Sequence, residues 1–232
     1  MLAAIAVAIA ASVTWAFLSP TEGLRGDGGP IASARERDLE APIGACEHRY
    51  VPVRVGAFRE YLWEGDAESG TIRMELMRAS PTDEGAAFIW SVEDDLGNRS
   101  ELVRGCDEDG AEEPWRALGA MPTGLELREQ SWRVPRVLEV GDRYAGTLQV
   151  TIASISMPLT RSHRVAARET VTVAGETFDT LRVEIEETSP AATEPVPSVQ
   201  WLADGVGLVR GWVGPEGYRT TVELVRHGAR AH

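Results

Sequence analysis

The sequence predicts an all-β or β-rich α+β domain, an antiparallel sheet of about ten strands with little helix. Three observations carry this. From Tyr50 to Arg226 the apolar residues recur with period two. The alternating stretches are short and end at Gly, Pro, Asn or Asp. The last third spells successive hairpin pieces: Thr170-Val-Thr-Val-Ala-Gly-Glu-Thr-Phe-Asp179, Leu181-Arg-Val-Glu-Ile185 and Trp201-Leu-Ala-Asp-Gly-Val-Gly-Leu-Val209.

The elements follow in order. Tyr50-Val-Pro-Val-Arg-Val-Gly56 alternates and runs into Phe58-Arg-Glu-Tyr-Leu-Trp63. Thr71-Ile-Arg-Met-Glu-Leu-Met-Arg78 places Ile72, Met74 and Leu76 on one face and Arg73 and Glu75 on the other. Ala86-Ala-Phe-Ile-Trp-Ser-Val92 is the next strand, and Asp94-Asp-Leu-Gly97 turns the chain into Ser100-Glu-Leu-Val-Arg104. Residues 106–122 read as an acidic surface excursion, with one helical turn at Trp115-Arg-Ala-Leu-Gly119. Strands resume at 125–134 and 143–152, where Tyr144, Leu148, Val150 and Ile152 share a face. Residues 164–173 and 178–186 form a hairpin across Ala174-Gly-Glu-Thr177. Residues 189–197 hold three prolines and are expected outside any central strand. Residues 206–213 and 218–226 make a last hairpin across Gly214-Pro-Glu-Gly217.

Composition sets the class. The 232 residues are 43% hydrophobic and 25% charged, enough apolar material for a core. A net charge of −13 and a pI near 4.8 argue against nucleic acid and against basic docking on anionic lipid. Every cation other than histidine is Arg, as GC-rich coding would give. Three segments follow: 1–18 as a signal peptide or N-terminal membrane anchor, 19–42 as a flexible linker, and 43–228 as one antiparallel β domain. Leu2 to Leu18 is uncharged and apolar. Thr14 and Ala16 place small residues for cleavage, which favours a signal peptide. No cation precedes the run, while Arg25, Arg35 and Arg37 follow it, which favours the opposite orientation. The expected place is the periplasm or outer envelope, soluble after cleavage or anchored by residues 2–18.

The two cysteines, Cys46 and Cys106, are too far apart for a CxxC pair, and in an exported chain they most simply form one disulfide. Ile43-Gly-Ala-Cys46 resembles a lipobox, but Arg35-Glu-Arg-Asp-Leu-Glu40 separates it from the apolar run.

Tyr50-Val-Pro52 with Gly56, Pro135 with Gly141-Asp142, Gly175-Glu-Thr-Phe178 and Trp201-Leu-Ala-Asp-Gly-Val-Gly-Leu-Val209 together resemble a family of uncharacterised bacterial envelope proteins similar to the lipoprotein-carrier half-barrel. That resemblance implies a curved antiparallel sheet whose concave face shelters a lipid. The residues themselves ask less: Gly205 and Gly207 let the backbone turn or bulge before Leu208.

No motif names a reaction. There is no GxSxG elbow, no phosphate-cradling glycine loop, no HExxH, and Ser162-His163 is adjacency without a triad. Asp107-Glu-Asp-Gly-Ala-Glu-Glu113 lacks EF-hand spacing and reads as a solvated acidic loop. No metal site and no cofactor is expected. Candidate ligand-binding residues are Trp63, Trp90, Tyr144, Leu148, Trp201 and Trp212, which line an apolar cavity on one reading and fill or cover the sheet on the other. The leading expectation is a non-enzymatic envelope binding module holding a lipid or other hydrophobic ligand. The alternative is a structural or protein-interaction domain with a packed interior, partnered by an envelope protein. A hydrolase comes third. Nucleic acid is not a partner, and membrane contact is confined to the N-terminal segment.

Overall fold

The computed structural model describes residues 46, 48–66, 68–114, 126–128, 132–152, 155–190 and 192–229. The expected leader, the linker and the helical turn at 115–119 lie outside them. Among the described residues thirteen strands appear: β1 (Ala57–Glu64), β2 (Ser69–Pro81), β3 (Gly85–Asp94), β4 (Arg99–Asp107), β5 (Gly110–Glu112), β6 (Glu126–Arg128), β7 (Arg133–Pro135), β8 (Arg143–Ile152), β9 (Ile155–Val173), β10 (Glu176–Thr188), β11 (Val196–Ala203), β12 (Gly207–Val213) and β13 (Thr220–Ala229). They form one antiparallel sheet in the order β6-β8-β9-β10-β11-β12-β13-β1-β2-β3-β4-β5-β7. The sheet is all-β, nearly closed into a barrel, and so curls further than a half-barrel.

Bulges supply the curl. Register slips between Glu60 and Tyr61, Leu76 and Arg78, Arg182 and Val183, and Trp201 and Leu202. Each slip adds an unpaired residue, bends its strand and increases local twist, so long strands coil toward closure instead of running flat.

Register also defines the inner face. Directly paired residues point the same way, so Tyr61 shares a face with Leu224, Arg59 with Met74, Leu76 with Trp90, Phe88 with Arg104, and Cys106 with Ala111. Around the wall, Val183 faces with Gln200 and Val165, Ile185 with His163, and Tyr144 with His163. On this face Trp90, Tyr61, Phe88, Leu76, Leu181, Ile185, Leu202, Val134, Val165 and Val183 are fully buried. Each such apolar side chain contributes roughly 1.5–3 kcal/mol through burial. Both arms of the sheet feed one core, and Trp132, Leu148 and Leu159 make a small satellite beside it.

Three expectations need correction. Residues 50–55 are not a strand but an irregular strap, whose Tyr50 and Val51 are buried in the main core. Alternation there reflects burial without pairing. The acidic stretch after Cys106 is not a simple solvated loop. Gly110–Glu112 is a strand paired with β7, Ala111 is buried, and Glu113 is buried beyond it. Pro197 lies within β11 opposite Glu186, near the strand start, where the ring is tolerated.

Candidate functional site

The ends of the linear strand order carry β6 and β7, only four residues apart in sequence. At this seam the described contacts are largely side-chain ones. Glu113 follows β5, Trp132 precedes β7, and both reach toward β8 and β9. The Trp132 indole Nε1 donates to Gly146 O at 3.2 Å, and the Arg161 guanidinium lies 3.6 Å from the Trp132 ring centroid. Gly146 is open enough for this: a Cβ there would sit 3.0 Å from the indole. Arg161 Nη1 is 3.1 Å from Glu113 Oε2, and its Nη2 is 2.8 Å from Glu187 Oε2 on β10. His163 Nε2 lies 3.4 Å from Glu113 Oε1, and the His163 ring stacks on Tyr144 at 4.2 Å between centroids.

This cluster has the residue types of acid–base chemistry but not the access. The side chains of Glu113 and His163 are 2% and 1% exposed. Burial, and then the charge of Glu113, holds the Tyr144 hydroxyl well above its ordinary pKa, so it stays protonated. A substrate cannot reach His163 without moving the wall. The arrangement is suited to holding the two edges of the sheet together.

A second polar assembly fastens the strap. Cys46 and Cys106 are joined in a disulfide, with Cα atoms 5.6 Å apart. His48 Nδ1 accepts from the backbone amides of Tyr50 and Val51, at 3.1 and 3.0 Å. That leaves Nε2 as the protonated nitrogen, donating to Val134 O and Pro135 O on β7 at 3.0 and 2.9 Å. Burial lowers the His48 pKa, opposed by those two carbonyls. With both nitrogens occupied, His48 is a clasp and not a ligand. On the far side Arg49 pairs with Asp204, and Gly205 N donates to Arg49 O at 2.8 Å. Gly205 and Gly207, at φ 71° and 92°, shape the β11–β12 turn that receives the strap.

The six candidate ligand residues divide. Trp63, Trp90, Tyr144 and Leu148 share the inner face, with Trp90 and Leu148 buried and Trp63 and Tyr144 half-buried. By register Trp201 and Trp212 fall on the opposite face, although Trp201 still packs against the main core. Trp201 pairs with Arg182 and Arg210, and its Nε1 donates to Glu169 Oε2 at 2.9 Å. Trp212 pairs with Val199 and Thr221 and is covered by Arg219, 4.1 Å from its ring. The six therefore do not form one cavity lining. Among the described residues no group of three His, Cys, Asp or Glu is placed to hold a metal ion.

Arg161 is not singled out by the sequence, and Glu113 and His163 enter there only as part of an acidic loop and of a Ser-His adjacency, both set aside. A signal existed for two of them: Arg161 and His163 share parity with Leu159 and Val165, which places charge in an inward-facing series. Glu113 gave none, being the last of a run of carboxylates.

No family model and no curated protein matches the sequence. Solved structures do share the fold. A Bacteroides fragilis protein described as exported, with a YmcC-like fold, superposes with a TM-score of 0.60 at 16% identity, covering 78% of this chain and 99% of that one. A Parabacteroides distasonis protein described as a lipoprotein gives 0.57 at 14% identity, covering 79% and 99%. At these identities the likeness is one of fold.

Proposed function

We propose that this protein is a non-enzymatic module of the bacterial cell envelope, with a packed barrel interior, that acts on an envelope partner through its surface and rims. The observation that carries the reading is the closed centre of the inner face. Trp90, Tyr61, Phe88, Leu76, Leu181 and Val183 are fully buried there, and the strap residues Tyr50 and Val51 fill the same core. Barrels of more than about eight strands have room for a ligand unless something fills or flattens them. Here side chains occupy the centre. The buried polar cluster at the seam offers no open cleft with a nucleophile, a base and an oxyanion stabiliser. The exported or lipoprotein description of both fold neighbours supports the envelope location, as does the buried disulfide.

A second reading is kept for one observation. Trp63 and Tyr144 remain half-buried on the inner face, and the satellite of Trp132, Leu148 and Leu159 stands apart from the main core. A lipid or other hydrophobic ligand, as the lipoprotein-carrier resemblance implies, would lie at that end. Native mass spectrometry on protein recovered from an oxidising compartment, before and after solvent extraction, separates the two. A clean apo mass is expected. A lipid-sized adduct that leaves on extraction would overturn the packed-interior reading in favour of the second.

A further inference from the structure

Arg59 stands in the apolar interior without a counter-charge among the described residues. It lies on β1, on the inner face, opposite Met74 of β2 and His227 of β13. The residue is 7% exposed. Its guanidinium sits 5.2 Å from the Trp90 ring centroid. Nε donates to Val206 O at 2.5 Å in the β11–β12 turn, and Nη2 to Pro52 O at 3.3 Å in the strap. Nη1 makes no hydrogen bond among the described residues, and no described carboxylate lies within ion-pair distance. Burial lowers the Arg59 pKa, and the neighbouring Tyr61 supplies no negative charge, because burial pushes its hydroxyl up to about 12.

The cost of this arrangement is unusual. A guanidinium taken from water loses its hydration, and a carboxylate normally offsets that loss. Carbonyl hydrogen bonds and an aromatic face offset part of it. Arg161 and Arg73 show the contrast: Arg161 meets Glu113 and Glu187, and Arg73 meets Glu60 and Glu75; Arg104, half-buried on the same face, is held by the carbonyls of Glu113 and Val103. Two features of Arg59 point outward. It lies where the strap, the β11–β12 turn and the end of β13 meet, and its cross-strand neighbour His227 has a side chain 32% exposed. An anion reaching Arg59 would come from that end, beside the Glu176 carboxylate that lies 3.1 Å from His227 Nε2, rather than through the packed centre.

We infer that Arg59 anchors an oxyanion-binding site at the strap end of the barrel, where the undonated edge of its guanidinium takes a carboxylate or phosphate group. The group is carried either by a free oxyanion or by the head of an acyl-bearing molecule. This goes beyond the packed-core reading and does not depend on it.

The test uses the full chain in its oxidised form, with tryptophan fluorescence as the readout because Trp90 adjoins the guanidinium. Three probes are titrated at matched ionic strength: inorganic phosphate, laurate, and dodecanol as the uncharged match of laurate. The expected result is a saturable change with phosphate or laurate, weakened roughly tenfold or more in Arg59→Met and largely retained in Arg59→Lys, which keeps the charge. Saturation by both anions identifies a free oxyanion as sufficient; saturation by laurate alone identifies an acyl-bearing ligand. The inference is overturned if neither anion gives a saturable change, if Arg59→Met binds as tightly as the wild type, or if dodecanol acts as well as laurate while phosphate is inert. Should Arg59→Met fail to fold, the laurate and dodecanol comparison on the wild type, with Arg59→Lys, still decides it.

Discussion

Replacing Glu113 by Ala is expected to cost about 3 kcal/mol, and the structure says why the figure is not larger. Breaking a buried ion pair by removing one partner typically costs about 3–5 kcal/mol, because the other charge stays buried. Arg161 is left with Glu187, whose side chain is 24% exposed and keeps its 2.8 Å contact. The stranded cation is therefore half-compensated, and the lower end of the range applies. For a domain of this size that corresponds to a fall in Tm of about 6–12 °C. Glu113→Gln keeps the shape and one acceptor and should cost about 1–2 kcal/mol. The double variant Glu113→Leu with Arg161→Met should lie closer to wild type than Glu113→Ala does, because it removes both charges together. Urea unfolding followed by far-ultraviolet circular dichroism gives the free energies, and the cycle of wild type, Glu113→Leu, Arg161→Met and their double variant gives the coupling. A Glu113→Ala loss below about 1 kcal/mol, or a coupling near zero, would refute the claim that this cluster holds the seam.

Three further predictions follow from the strap and the β5 lap. Replacing both cysteines by Ala should cost about 4 kcal/mol in the chain-entropy account, given the 60-residue separation of the bridge, read as a lower Tm that reductant mimics in the wild type. The His48 pKa is depressed below 6.5 by burial, so its contribution is complete above about pH 6.5 and is lost as pH falls toward the folded value, where the unfolded chain binds the proton better. His48→Gln should flatten that part of the Tm–pH curve, and an unchanged curve would sink the assignment. Gly110→Ala should cost about 2–3 kcal/mol, because a Cβ there would lie 2.3 Å from Val134 O and force β5 from β7; thermal melts that match wild type would show the lap is looser than described.

The strands were legible because their signal is local. Period two and the turn residues at 94–97, 174–177 and 214–217 lie within a few positions of the strands they delimit, and the structure pairs β3 with β4, β9 with β10, and β12 with β13 across them. Closure was not legible, because it joins residues far apart. Nothing near Glu113 says that Arg161 will face it across the seam. Strap residues Val51, Val53 and Val55 alternate as a strand would, yet they satisfy burial without a ladder. Trp212 shows a different limit. The sequence leaves open whether it lines a cavity, fills the core or covers the sheet, and the neighbour that faces inward is Gly211, paired with Val222. A Cβ at Gly211 would already be 3.3 Å from Val222 and 3.6 Å from Leu208. The inner face is too full there for a side chain, and the tryptophan takes the other side.

The two fastenings converge on the weakest lap of the wall. β5 has three residues, pairs with β4 through Cys106 and Ala111 alone, and meets β7 over three positions. So short a strand holds by what brackets it. On one side the disulfide ties Cys106 to the strap, and His48 clasps the strap to β7. On the other, Glu113 ties the end of β5 to β9. If both fastenings serve this lap, its opening is one event, and losing either exposes much of the same surface. The combined loss of the disulfide and of Glu113 should then be smaller than the sum of the separate losses, by more than the few tenths of a kcal/mol expected of independent sites. Hydrogen exchange should show the amides of β5 and β7 opening first in either variant, ahead of β9 to β11. Full additivity, with exchange rising evenly across the sheet, would mean that the bridge and the carboxylate stabilise separate parts of the barrel and that the seam is no weaker than the rest of the wall.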